Sequence, residues 1–226
     1  MKQILTLGLA LMLAFASYAQ DEVTKFLGIP IDGTKYEMIA KLKAKGYIWN
    51  TRRECLEGEF NGRDVYLHVV TNNNKVYRIC VEDKIGSSEG DIKIRFNKLC
   101  RQFERNNRYT SKSNNSFELS ETEDISYEMT VNEKRYEASY YQLTDMDKDS
   151  VMMREYVRDK VMAQISNENI SDTSVLIQSL INLQLVAEQL RYMTRSVWFM
   201  IHREYGQYYI LLFYDNQLNQ ANGEDL

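Results

Sequence analysis

The sequence predicts an α+β protein with a largely antiparallel sheet, on three observations. Asn61-Gly62 sits between two alternating apolar stretches, a strong hairpin signal because a type I′ turn needs positive φ at both central residues. Two further runs, 197–202 and 208–215, are rich in β-branched and aromatic residues and short enough to be strands. Between them and the hairpin lie stretches of helical period, 91–105 and 173–193. Hairpins and helices in one chain describe helices packed on antiparallel sheet meanders, with two degenerate halves as one arrangement of them.

The first element follows from Thr34, placed to cap a helix with Glu37 three residues on, a capping-box spacing. Met38, Ile39 and Leu42 fall on one side, Lys41, Lys43 and Lys45 near the end suit the dipole, and Gly46 stops it. Before it, Pro30 holds residues 29–31 extended and Asp32-Gly33 turns the chain. Strands are expected at 47–49, 56–60, 63–71 and 75–82, with a three-residue turn at 72–74. The two-residue turn at Asn61-Gly62 sets Leu56 opposite Leu67, and the three-residue turn sets Leu67 opposite Ile79 and Val69 opposite Tyr77. One face then collects Leu56, Val65, Leu67, Val69, Tyr77, Ile79 and Val81. The other collects Cys55, Glu57, Asp64, Tyr66, His68, Arg78, Cys80 and Glu82. In the helix 91–105, Phe96, Leu99, Cys100 and Phe103 are spaced to cover the apolar face.

The polar stretch 106–116 reads as a linker between halves of about 24–105 and 117–226 within a single domain, 20–226. The second half is expected to open with a hairpin, 125–131 and 136–143, turned at 132–134. Asp149 or Ser150 then caps a helix bearing Met153, Tyr156, Val157, Val161 and Ile165, a polar turn follows at 167–171, and Asp172 caps the longest helix. Its row Leu176, Leu180, Leu183, Ala187 and Leu190, flanked by Ile177, Ile181 and Val186, is wide enough to demand burial nearly all round. The hairpin 197–215 is apolar on both parities and reads as the core of the sheet.

Lys2, the apolar run 4–15 and the small-residue end Ser17-Tyr18-Ala19 have the grammar of a signal peptide, residues 1–19, too short for a membrane span. The expectation is a periplasmic or secreted protein. The opening FLGIPIDG with its K-x-x-M-I-x-K-L-K helix, and the closing Tyr214-Asp215-Asn216, Asn219, Ala221 and Gly223-Glu224-Asp225-Leu226, carry a resemblance. Together they resemble a group of secreted proteins from Gram-negative gut anaerobes that share this turn and this tail. The resemblance implies export; it brings with it no activity, cofactor or site residue.

A formal net charge of -4 gives no basic footprint for nucleic acid. The P-loop, GxSxG, HExxH and CxxC patterns are missing from the sequence, and two histidines and scattered cysteines offer no metal-ligand spacing. No cofactor and no metal are therefore expected. One constellation has catalytic chemistry: Cys55 opposite His68 across the hairpin pairs a thiol with a base, as a thiol hydrolase requires. Three cysteines in an exported chain leave an odd one, and the register favours free thiols.

The remaining signal is tyrosine, sixteen in all, with Tyr136, Tyr140, Tyr141, Tyr205, Tyr208, Tyr209 and Tyr214 in the hairpins of the second half. Tyrosine is both a good strand residue and a rigid amphipathic contact for proteins and sugars. The leading expectation is a non-enzymatic binding protein that takes a protein or glycan partner on a tyrosine-rich sheet surface. The alternatives are the thiol hydrolase and a structural or assembly-assisting envelope protein.

Overall fold

In a computed structural model, the structure describes residues 23–148, 150–167, 174–221 and 223. The segment read as a signal peptide, all but Asn167 of the turn expected at 167–171, the expected caps Asp149 and Asp172 and most of the closing residues 222–226 lie outside them. The fold is α+β, as expected. A small hairpin, β1 (Lys25–Phe26) and β2 (Ile29–Pro30), leads into α1 (Lys35–Ala44). Strands β3 (Ile48–Asn50), β4 (Cys55–Phe60), β5 (Arg63–Asn72) and β6 (Lys75–Asp83) follow, then α2 (Glu89–Arg105). The second half runs β7 (Tyr109–Ser111), α3 (Ile125–Val131), β8 (Glu137–Gln142), α4 (Asp145–Lys148), α5 (Ser150–Asn167), α6 (Ser174–Leu190), β9 (Arg195–Glu204) and β10 (Gln207–Asn216).

Eight strands form one antiparallel sheet in the order β3-β4-β5-β6-β10-β9-β8-β7. Each half contributes four strands that step inward from an edge in chain order, a plain meander in the first half and one interrupted by α3 and by α4 to α6 in the second. The last strands of the two meanders, β6 and β10, meet at the centre. The stretch 106–116 is thus not a bare linker, because it supplies the edge strand β7, paired to β8 through Thr110 and Tyr141.

Capping explains where the helices begin. Thr34 and Glu37 close the capping box, and Ser88 accepts from the Asp91 amide to start α2. The hairpin expected at 125–131 is instead the helix α3. Residues Ile125, Tyr127, Met129 and Val131 alternate like a strand, yet Ile125 and Met129 are also four apart. Asp124 accepts from the Tyr127 amide, and that cap decides for helix, burying Ile125 and packing Met129 on the core.

The first meander corrects the expected register. Leu56 stands opposite Leu67 as predicted, but the second turn is the two-residue Asn73-Asn74, with φ of 46° and 62°, and β6 bulges at Tyr77, which is left unpaired between the pairs Val70–Arg78 and Thr71–Val76. Leu67 therefore faces Val81 and Val69 faces Ile79. A slip of two residues preserves the pleat, so the apolar face survives. Beyond the bulge Val76 takes the core position expected for Tyr77.

That face, with Phe199, Ile201, Ile210 and Leu212 from β9 and β10, packs against Met38 and Leu42 of α1 and Phe96, Leu99 and Phe103 of α2 in one cluster. Phe103 stacks on Tyr140 at 4.7 Å between centroids. The long helix is not part of this core. α6 packs on α5 in a separate small cluster of Met153, Val157, Val161 and Ile181. Burial nearly all round was expected; Leu183 is 68% exposed, and Val186 and Leu190 are also exposed. An a/d-like row needs only one partner helix to bury part of it.

The two ends of the chain are fastened together. Asn216 Nδ2 donates to the Ile31 carbonyl at 2.7 Å, and Thr24 donates its hydroxyl to the Asp215 carbonyl. Phe26 packs edge-on against Tyr214 at 5.0 Å. The turn and the tail that carry the resemblance are one contact surface.

Candidate functional site

The sheet has a second face, opposite the one covered by α1 and α2, and the parity of the strands determines what stands on it. β4 to β6 bring Glu57, Tyr66, His68, Arg78, Cys80 and Glu82. β10 continues the rows, with Leu211 opposite Glu82, Phe213 opposite Cys80 and Asp215 opposite Arg78. β9 adds Met200, Trp198 and Ser196, and β8 adds Glu137, Ser139 and Tyr141. Most of these side chains are half-buried, in contrast to the sealed first face.

Its centre is a polar and aromatic cluster. Arg78 forks onto Asp215, Nε to Oδ1 at 2.6 Å and a terminal nitrogen to Oδ2 at 2.8 Å. Trp198 Nε1 donates to the same Oδ2 at 2.9 Å. The indole stacks on Phe213 at 4.1 Å, and the Arg78 guanidinium lies 4.9 Å from the Phe213 ring centre. The Asp215 carboxylate, nearly enclosed, is thus saturated by three donors, and it holds the indole and the guanidinium in fixed orientations. The hydrogen bond and attraction of Asp215 raise the Arg78 pKa, outweighing its desolvation, so the cation is permanent. Lys112, bonded to Ser196 Oγ at 2.8 Å, stands 4.6 Å from the Tyr141 ring centre; burial lowers its pKa.

Towards β4 the face becomes charged. His68 Nε2 meets Glu82 at 2.9 Å, and that hydrogen bond holds the Glu82 carboxyl below its ordinary value. Lys84 bonds Glu57, and both Lys84 and Arg53 lie over the Tyr66 ring.

The expected Cys55–His68 pair falls apart along the ladder. The last pair between β4 and β5 is Leu56 with Leu67; Cys55 pairs with Asn50 of β3, and the residue opposite His68 is Cys80. The imidazole is engaged by Glu82, not by a thiol. Burial raises the thiol pKa of Cys55, and desolvation takes Cys80 and Cys100 up to about 12, so all three stay protonated at neutral pH. All three cysteines are free.

Of the seven hairpin tyrosines, the six expected on the binding surface, all but Tyr214, separate into three groups. Tyr136, Tyr140 and Tyr208 point into the core, which corrects their assignment to the surface. Tyr136 donates to Glu123 at 2.6 Å, and Tyr140 is fully enclosed in the aromatic stack beside Cys100. Tyr205 occupies the tip of the β9–β10 turn, 97% exposed, with φ of 46°. Tyr141 and Tyr209 alone stand half-buried on the second face. Sequence reasoning placed Arg78 on that surface but missed Trp198, Met200 and Phe213 as its neighbours. The signal was present in the two-parity apolar pattern of β9 and β10, which reads as burial on both sides until α1 and α2 are found on the opposite face.

Among the described residues no group of three or more His, Cys, Asp or Glu is placed to hold a metal ion, and no helix is long and apolar enough to cross a membrane. Compared with family models, with curated proteins and with solved structures, the chain matches none.

Proposed function

We propose that this is an exported, non-catalytic binding protein whose partner is another protein docked on the second face of the sheet. The observation that carries the reading is the half-exposed Trp198, stacked on Phe213 beneath Arg78 and locked by Asp215 at the centre of a broad sheet face. Tryptophan, tyrosine and arginine dominate binding energy at protein interfaces, and a ring held in place before binding loses little entropy on contact. Tyr141, Tyr209 and Met200 extend the apolar area, and the Glu57, Lys84, His68 and Glu82 pairs give it a polar border. Thiols held protonated and a histidine engaged by a carboxylate weigh against the hydrolase.

The test is capture from the native envelope and culture medium, with wild-type protein beside Trp198→Ala and Tyr36→Ala variants. Tyr36 is 83% exposed on α1, on the helix side of the sheet. The expected result is one prominent protein retained by wild type and Tyr36→Ala and lost by Trp198→Ala. Retention by all three overturns the reading, and retention of polysaccharide in place of protein moves it to a glycan.

A further inference from the structure

A cleft of about 1100 Å³ opens at one end of the sheet, away from the Trp198 cluster, where the β1–β2 tongue, the ends of α1 and α2, β7 and α4 converge. Its size suits an organic ligand. Its walls carry the cations Lys25, Lys45, Arg108, Lys148 and Arg195 against the carboxylates Glu59 and Asp145, in a chain whose net charge is -4. Two of these cations are satisfied locally. Lys148 bonds Asp145 at 3.0 Å, and buried Arg195 bonds Asp147 and the Gln142 carbonyl. Lys45 and Arg108 follow the last turns of α1 and α2, where positive charge offsets the helix dipoles. Lys25 serves no helix; it stands on β1 across from Pro30. Lys25, Lys45 and Arg108 together outnumber Glu59, leaving a positive mouth.

Beneath the mouth the wall is apolar and aromatic: Phe60, Leu99, Phe103, Leu212 and Tyr214. Desolvation raises the pKa of Tyr214 and of Tyr47, so both phenols remain neutral and do not repel an anion. The tip of the tongue adds an apolar side chain to the wall. Leu27 lines the cleft with φ of 52° and 39% of its surface exposed, next to Gly28 with φ of 80°. Leu27 and Gly28 are the two central residues of the β1–β2 hairpin turn, which requires positive φ at both positions and so presents the Leu27 side chain at the tip of the tongue. The fastening of the tongue by Asn216 and Thr24, together with Lys25's backbone bonds to Gln142, fixes this wall of the cleft.

We propose that the cleft binds a single-chain anionic amphiphile, its carboxylate or phosphate head at Lys25, Lys45 and Arg108 and its chain over Leu27, Phe60, Leu212 and Tyr214. The two heads share the chemistry that the mouth recognises, an exposed anion; fatty acids and lipid phosphates are its two sources.

The experiment is titration calorimetry of the purified native protein with laurate and with dodecyl phosphate below their micelle concentrations, beside dodecyl maltoside and inorganic phosphate. At least one anionic amphiphile should saturate at one per chain, and the one preferred identifies the source; neutral maltoside and tail-less phosphate should not bind. A Lys25→Glu, Arg108→Glu double variant should weaken binding at least tenfold. Leu27→Asn, which fits the positive φ better, should weaken binding severalfold without lowering the thermal midpoint, an outcome that a merely structural tongue would not give; it carries the test if the double variant fails to fold. Absence of saturable binding by both anions, equal binding of dodecyl maltoside, or affinities of the folded variants within twofold of wild type overturns the proposal.

Discussion

Asn219 Nδ2 lies 2.8 Å from Asp32 Oδ1, joining residues 187 apart in the chain. The same amide reaches the Val76 carbonyl at 2.9 Å, and the Asn219 carbonyl accepts from Asn72. One side chain thus ties the tail, the turn before α1 and the start of β6. Asn219→Ala should cost about 1–3 kcal/mol, the penalty for leaving such partners unmet, while exposed Gln217→Ala should be neutral. Urea melts of the two variants measure the difference, and equal midpoints would show that the tie is dispensable.

The second prediction separates the two small-cluster helices from the main core. Leu183 is 68% exposed and Ile181 only 9%, two residues apart on α6. Leu183→Ala should shift stability by less than about 0.5 kcal/mol, as a surface change does. Ile181→Ala should cost about 2 kcal/mol, the low end for a buried aliphatic residue, because its cluster is small. Thermal melts check both; a large loss at Leu183 would mean that the helix is covered on its outer side.

Acid titration tests the His68–Glu82 pair. The hydrogen bond from His68 is the largest cause of the lowered Glu82 pKa. A carboxyl with a depressed folded pKa adds stability above its unfolded value and loses that contribution as pH falls through the folded one. Wild type should therefore be more stable than Glu82→Gln at about pH 6, well above the carboxylate range. The gap should close as pH drops below the ordinary value of 4.5. Denaturant midpoints across that window would show it, and a gap independent of pH would assign the difference to packing.

The cysteines give the fourth. With desolvation raising all three thiols, native protein should be alkylated by iodoacetamide at neutral pH far more slowly than a free thiol. Unfolded protein should react at the ordinary rate. Mass spectrometry of the native time course reports each site, and rapid labelling of Cys55 would revive the nucleophile.

Much of the architecture was legible in the sequence because its signals are local. Asn61-Gly62 set a hairpin whose pairing of Leu56 with Leu67 the structure reproduces, and Thr34 with Glu37 marked α1. Parity also survived from Arg78 onward, since an even slip leaves the faces unchanged; between the turn and the bulge it flipped, and Val76 took the place expected for Tyr77. What failed was what depends on distant partners. Ile125 to Val131 satisfies either period until the Asp124 cap is set against it, and α6 looks like core until it is found packed on α5 in a separate cluster. The tyrosines misled for the same reason. Tyr140 and Tyr141 are adjacent in sequence, yet one is sealed among Phe103 and Phe199 while the other faces outward beside Lys112. Composition is blind to that alternation.

The central seam between β6 and β10 has a kinetic consequence. Val81 and Leu212, paired across it, are about 130 residues apart, so the seam closes only after β10 has followed β6 by that length of chain, and non-local pairing of this kind slows folding. As the chain emerges from its N-terminus, β3 to β6 can form their meander early, with the inner edge of β6 unpaired until β10 arrives. An unpaired edge of that length is a template for other chains. The interval between the two strands is the period of greatest exposure to misassembly, and it ends with the same residues, Tyr214 to Asn219, that fasten the tail to the opening turn.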